Sequence, residues 1–325
     1  MDQQIKQESN KSSEDILITI NSKGKLKKTI SPAITKKWRS LQNKVLAEFP
    51  VMELTKERLQ LVHDLNQIQL DYITKALDLL EFEPNITNFK NYFIPDQNWN
   101  DFIKKLIDSH TIPIDDNAYS ITGSTTPFGE IYTKGFRVFT YIHERNHAIC
   151  KKLYLVEKSP EQKLIIEDFG DGFFRGEKLR DKNFGDGDVL NEAATDLITI
   201  SIFKRTFKNP KPFIAPSIYL YYDLLIDSII NISTKIICEK NNEEFNGIKQ
   251  FYQGYFNSNY SLIKFIDDAL GEGTIKYLSK ITNTSFDNSE IKQEKQIFSI
   301  CKDLNLSQQI PSKIIERVHW TRGIT

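Results

Sequence analysis

Apolar residues recur at every third or fourth position through most of this chain, and that period commits it to a mainly helical architecture. From Ser31 to Leu80, with Pro32 at a helix-start position, the pattern runs through Trp38, Leu41, Val45 and Leu46. It resumes through Leu59, Val62, Leu65, Ile68 and Leu77 after a break near Phe49-Pro50, so a helical pair is predicted. Asn98 onward adds a short helix. The period changes at AYSITGS, from Ala118, and GEIYTKGF, from Gly129. These β-branched and aromatic stretches flank turn residues and predict a two-stranded antiparallel piece. Helical spacing returns from Phe136 to Val156, and KLIIEDF from Lys163 reads as one more strand. Leu190 to Phe207 and most of the chain to about Ile281 are helical again. The expected fold class is α+β, mainly α. The segments are an N-terminal mobile tail over 1–30, a helical region over 31–113 and a second region over 114–325, with a short antiparallel sheet ahead of a central helix and a helical C-terminal subdomain.

Composition removes several function classes. The chain has 325 residues, and its 43 basic residues equal its 43 acidic ones, so no overall basic field points to nucleic acid. The longest apolar stretch, from Ile218, carries Asp223 and Asp227, which suits a buried helix better than a membrane span. Three cysteines, Cys150, Cys238 and Cys301, form no paired motif, so reduced thiols are expected. The first fifteen residues lack the apolar core of a secretory signal, so the expected location is the cytoplasm, or outside after export without a classical signal, as for a bacterial effector or toxin.

Residues 143–147 read HERNH. On a helix His143 and His147 lie one turn apart on the same face, where two imidazoles converge on one ion, and Glu144 is offset enough to reach a water on that ion. Arg145 and Asn146 follow Glu144 where a large apolar residue usually packs behind such a helix. A catalytic zinc needs a third protein ligand and an open position. LNEAATDL, from Leu190, offers Glu192 as that ligand, with Asp196 four residues on to hold the outer nitrogen of a ligand histidine. Ala193, Ala194 and Thr195 permit close helix approach. A solvated acidic face is the competing use of the same residues.

HERNH followed by LNEAATDL resembles the gluzincins, the zinc metallopeptidases that include thermolysin and clostridial-neurotoxin-like enzymes. The resemblance implies His143, His147 and Glu192 as ligands of one catalytic Zn²⁺, Glu144 as general base, and Asp196 as the outer acid; Asn191 fills the pattern's asparagine. It implies a zincin-like domain hydrolysing peptide bonds of a protein or peptide substrate through a zinc-activated water. Strands Ser120 to Lys134 would pair with extended substrate, with Gly129 and Gly135 allowing close approach. Tyr219, Tyr221 and Tyr222 are candidate oxyanion donors, against their alternative use as a buried aromatic stripe. The gap of about 45 residues between His147 and Glu192 is much longer than in thermolysin-like enzymes.

Two other functions fit the same residues: a non-catalytic helical protein-interaction module in which HERNH is accidental or decayed, and zinc hydrolysis of a non-peptide amide. DKNFGDGDVLNE, Asp181 to Glu192, partly imitates a calcium loop but has Asp186 where glycine belongs, so an active-site rim is the expected role. The glycines of GDGFFRG lack the strand-then-helix setting of a phosphate loop. His63, His110 and His319 have no ligand partners in sequence.

Overall fold

The computed structural model describes residues 15–20, 32–79, 89–109, 122–125, 130–150, 152–158, 164–174, 187–208, 220–281 and 290–322. The helical pair is present as α1 (Pro32–Ala47) and α2 (Lys56–Asp71). Thr55 caps α2 by accepting from the Arg58 amide, and α2 buries Val62, Leu65 and Gln69 on one face. A strand that periodicity did not announce, β2 (Lys90–Ile94), precedes α3 (Trp99–Asp108). The antiparallel piece is β3 (Gly123–Thr125) and β4 (Glu130–Lys134), with Gly123 opposite Thr133. β2 pairs parallel with β4, giving the strand order β2-β4-β3, with β3 at an edge among the described residues. A crossover containing a helix is what parallel neighbours require, and α3 lies in it. Trp99, Phe102, Ile103 and Leu106 of α3 pack with Val45, Ile94 and Tyr132.

Residue 113 is not a boundary between cores. β2 belongs to the same sheet as β3 and β4, and Val62, Leu65 and Tyr72 share a core with Ile142, Ile198 and Ile229. Part of the N-terminal tail is also ordered differently from expectation: β1 (Asp15–Ile20) pairs antiparallel with a later strand.

The polypeptide turns out of β4 at Gly135, which has φ +60° and donates its amide to the Ile94 carbonyl at 2.7 Å. An added Cβ would stand 2.4 Å from the Asp96 carboxylate, so this glycine serves the turn and not an approaching substrate. Gly129 lies outside the described residues. The central helix α4 (Val138–Ile149) follows and ends seven residues earlier than its apolar period suggested. Cys150 adopts ψ 151°, and the residues beyond it form β5 (Lys152–Lys158), which pairs with β1 and with β6 (Leu164–Asp171). Backbone partners on both sides of β5 outweigh a helical continuation.

The remaining helices are α5 (Asp188–Thr206), α6 (Leu220–Asn241), α7 (Gly247–Phe256), the short α8 (Phe265–Leu270) and α9 (Thr274–Ser279), then α10 (Glu290–Asp303) and α11 (Gln309–Arg322). α5 packs on α4 and on α6. No helix among the described residues is long and apolar enough to cross a membrane. The fold is mainly helical with two small sheets.

Candidate metal centre

The one-turn spacing of His143 and His147 brings their Nε2 atoms to 3.1 Å from each other on the α4 face that meets α5. Glu192, in the second turn of α5, points its carboxylate between them, with Oε2 3.2 Å from His143 Nε2 and Oε1 3.4 Å from His147 Nε2. A tetrahedral ion with bonds of about 2.0–2.1 Å spaces its donors about 3.3–3.4 Å apart, so these separations suit one ion shared by three ligands. The side chains of His143, His147 and Glu192 retain 15, 9 and 22 % exposure, which leaves the group accessible from one side. These residues could hold a metal ion.

Asp196, one turn beyond Glu192, takes the outer nitrogen of the first imidazole: its Oδ1 lies 2.7 Å from His143 Nδ1. That contact orients His143 with Nε2 toward Glu192. Asn191 lies beside the second imidazole. Its side-chain oxygen accepts from the Phe173 amide at 2.8 Å, and its Nδ2 reaches His147 Nδ1 only at 3.5 Å. It joins the turn after β6 to the outer side of the His147 ring.

Electrostatics sharpen the donor set. Burial alone would raise the Glu192 carboxyl, but charge on His147 and hydrogen bonds from both imidazoles hold it well below the usual carboxylate range. Desolvation would depress His143, yet Asp196 and then Glu192 raise it well above an ordinary histidine. An anionic carboxylate faces two imidazoles, so metal and protons compete for the same nitrogens.

Glu144 is partly exposed beside His143, and β3 runs directly against it. A Cβ at Gly123 would lie 2.4 Å from Glu144 Cγ and 2.6 Å from Oε1, so only glycine lets the edge strand pass this closely. Thr122 and Thr140 hydroxyls, 3.4 Å apart, fasten the start of that strand to α4. Gly123→Ala is expected to displace the Glu144 carboxylate while leaving the ligand group and the fold intact. In the catalytic reading developed below, peptide turnover then falls by up to roughly 100-fold at unchanged metal content, and steady-state kinetics with metal analysis checks it.

The oxyanion candidates fare less well. Tyr219 lies outside the described residues. Tyr221 and Tyr222 are fully buried. The Tyr221 hydroxyl donates to Glu294 on α10 at 3.3 Å, and burial pushes the Tyr222 phenol far up. Neither presents an exposed donor, and the buried-stripe use applies to both. Asp181, Asn183 and Asp186 of the calcium-like loop lie outside the described residues, as does His110, while Glu192 is turned to the histidines. His63 is exposed, and His319 Nε2 meets Glu294 at 2.8 Å.

One acid near the centre went unrecognised in the sequence, where it appeared only as a charge inside an apolar run. Asp223, in the first turn of α6, is fully buried, and neither carboxyl oxygen has a hydrogen-bond partner among the described residues. Burial pushes its carboxyl well above the usual range; Asp196 and Glu192 add to the push and His143 opposes it. The unfolded chain ionises this group above the ordinary value of 3.8 while the fold keeps it protonated, so it costs stability as pH rises. Asp223→Asn removes that cost. In chelator, the stability of the variant relative to the wild type is expected to rise with pH, the gap closing as pH falls to the ordinary aspartate value. Urea melts across pH check it.

Comparisons with protein-family models, curated proteins and solved structures find no match to this chain.

Proposed function

We propose that the chain is a zinc-dependent endopeptidase of the gluzincin kind, its 114–325 region forming the zincin-like catalytic part and drawing β2 and α2 from the preceding segment. The observation that carries this reading is the meeting of His143, His147 and Glu192 at 3.1–3.4 Å, with Asp196 behind the first ring. Two imidazoles with one carboxylate favour zinc over calcium or magnesium, which prefer all-oxygen sites. When bound there, zinc supplies Lewis acidity to a scissile carbonyl and to the attacking water.

The chain's own residues supply the rest. Glu144 takes one proton from the water as its oxygen bonds to the carbonyl carbon, and passes that proton to the amine nitrogen as the carbon–nitrogen bond breaks. Asp196 keeps the His143 ring aligned throughout. β3, at the sheet edge and against Glu144, offers backbone groups to an extended peptide, which would place a scissile bond beside the base. Arg145, the departure from the usual pattern, is compatible with this helix because its charge is accommodated on the α2 side of α4, against Gln69 and Tyr141.

Incubating a proteome with the wild type and with Glu144→Gln tests the assignment. New amino termini are expected with the wild type alone. Identical terminus maps for the two proteins, with zinc bound in both, would remove the peptidase reading and leave the helical interaction module or zinc hydrolysis of a non-peptide amide.

A further inference from the structure

Behind the ligand face of α4, four buried polar side chains form one directed hydrogen-bond chain across three helices. Arg145 Nε donates to Gln69 Oε1 at 2.8 Å, Gln69 Nε2 donates to Asn146 Oδ1 at 2.7 Å, and Asn146 Nδ2 donates to Thr199 Oγ1 at 3.0 Å. The Thr199 hydroxyl then donates to the Thr195 carbonyl at 2.8 Å within α5. Gln69, Asn146 and Thr199 are fully buried, and Arg145 retains 1 % exposure.

The direction of this chain is set at one end. A guanidinium only donates, so it requires the oxygen of Gln69; that turns the Gln69 amide nitrogen to Asn146, and the Asn146 nitrogen in turn to Thr199. An apolar residue at 145 would leave both amides free to flip. Arg145 is itself steadied by Tyr141, whose hydroxyl accepts from it at 3.3 Å and donates to Asn66 at 2.8 Å, and by the Phe89 ring. The far end of the chain touches the ligands' own supports. Asn146 lies between the two histidines on α4, and Thr199 lies one turn past Asp196 on α5. The contact at 3.0 Å therefore joins the helix that carries both imidazoles to the helix that carries Glu192 and Asp196.

We propose that Asn146, oriented by Arg145 through Gln69, is a positioning residue whose bond to Thr199 sets the spacing of the two ligand helices and thereby the affinity of the centre for metal. This inference rests on the metal-site reading above. A polar link suits the task because its geometry is directional, whereas an apolar contact between the same helices would tolerate sliding.

The test is the zinc dissociation constant, measured by competition with a chromogenic chelator on full-length protein shown to be folded by circular dichroism. Thr199→Val keeps the shape and removes the acceptor, and Thr199→Ala does so with less crowding, should the valine variant fail to fold. Either is expected to weaken zinc binding roughly 10–100-fold, while Thr199→Ser, which restores the hydroxyl, stays within about threefold of wild type. Ile297→Ala, at a buried position of α10, a helix that carries none of the ligands, is the control: it lowers the melting temperature and leaves zinc affinity unchanged. A folded Thr199→Val or Thr199→Ala variant with wild-type affinity would overturn the positioning role, as would equal weakening in Ile297→Ala. A wild type that binds no zinc would overturn the metal centre itself, and the inference with it.

Discussion

His143→Ala is expected to abolish stoichiometric zinc binding while leaving a folded protein. In the proposed centre the imidazole supplies one of three protein ligands, and the ring's other nitrogen meets Asp196. Removing it leaves one histidine and one carboxylate, too few for a structural hold on zinc at ordinary concentrations. Two carboxyl groups, the half-buried Glu192 and the buried Asp196, also lose their common partner, so the metal-free variant should lose stability as well. Loss of one partner of a buried charged pair costs about 3–5 kcal/mol at the upper end. The side chains here keep some exposure, and the cost should fall below that figure. In the wild type, zinc at 100 times its dissociation constant should add about 2.7 kcal/mol to unfolding stability, and this increment should vanish in His143→Ala. Thermal melts with and without zinc, alongside metal analysis of the dialysed protein, check both parts.

Glu144→Gln should separate metal binding from chemistry. The amide keeps the size of the carboxylate, and Glu144 is not one of the three converging ligands, so zinc content should stay at the wild-type level. It cannot accept a proton, so peptide hydrolysis should fall by roughly 100- to 10,000-fold, the span that general base catalysis contributes. The loss should appear in kcat more than in KM, since the substitution removes a transition-state role and leaves the β3 edge untouched. A loss confined to KM would instead place Glu144 in substrate binding.

Much of the fold could be read from residue spacing, because amphipathic helices announce themselves locally. α1, α2, α3, α5 and α6 each follow from the recurrence of apolar residues at three and four, and β3 and β4 from a change of period around turn residues. What escaped depended on partners far along the chain. KNYFI reads as nothing particular until β4, 40 residues later, offers it a parallel edge. The end of α4 at Ile149 is likewise decided by β1 and β6, which claim the backbone of β5 from both sides.

The same division holds at the site. His143 and His147 were legible because one helical turn fixes their relation, and Glu192 because its small neighbours and Asp196 repeat that logic on a second helix. Asp223 was not legible: an acid in an apolar run has no meaning until α6 is laid against α5. Arg145 read as a defect in the pattern, and its contacts with Gln69, 76 residues away, and with Tyr141 explain it. Asn191 matched a motif position whose partner turned out to be chiefly the Phe173 amide.

The central claim concerns what a single ion would touch. X-ray absorption at the zinc edge of the purified, zinc-loaded protein measures this directly. The account predicts a first shell of two imidazole nitrogens and carboxylate and solvent oxygen at about 2.0–2.2 Å, with no sulfur. The histidine scattering pattern should be halved or lost in His147→Ala. A sulfur shell near 2.3 Å, or a histidine pattern unchanged in that variant, would contradict it.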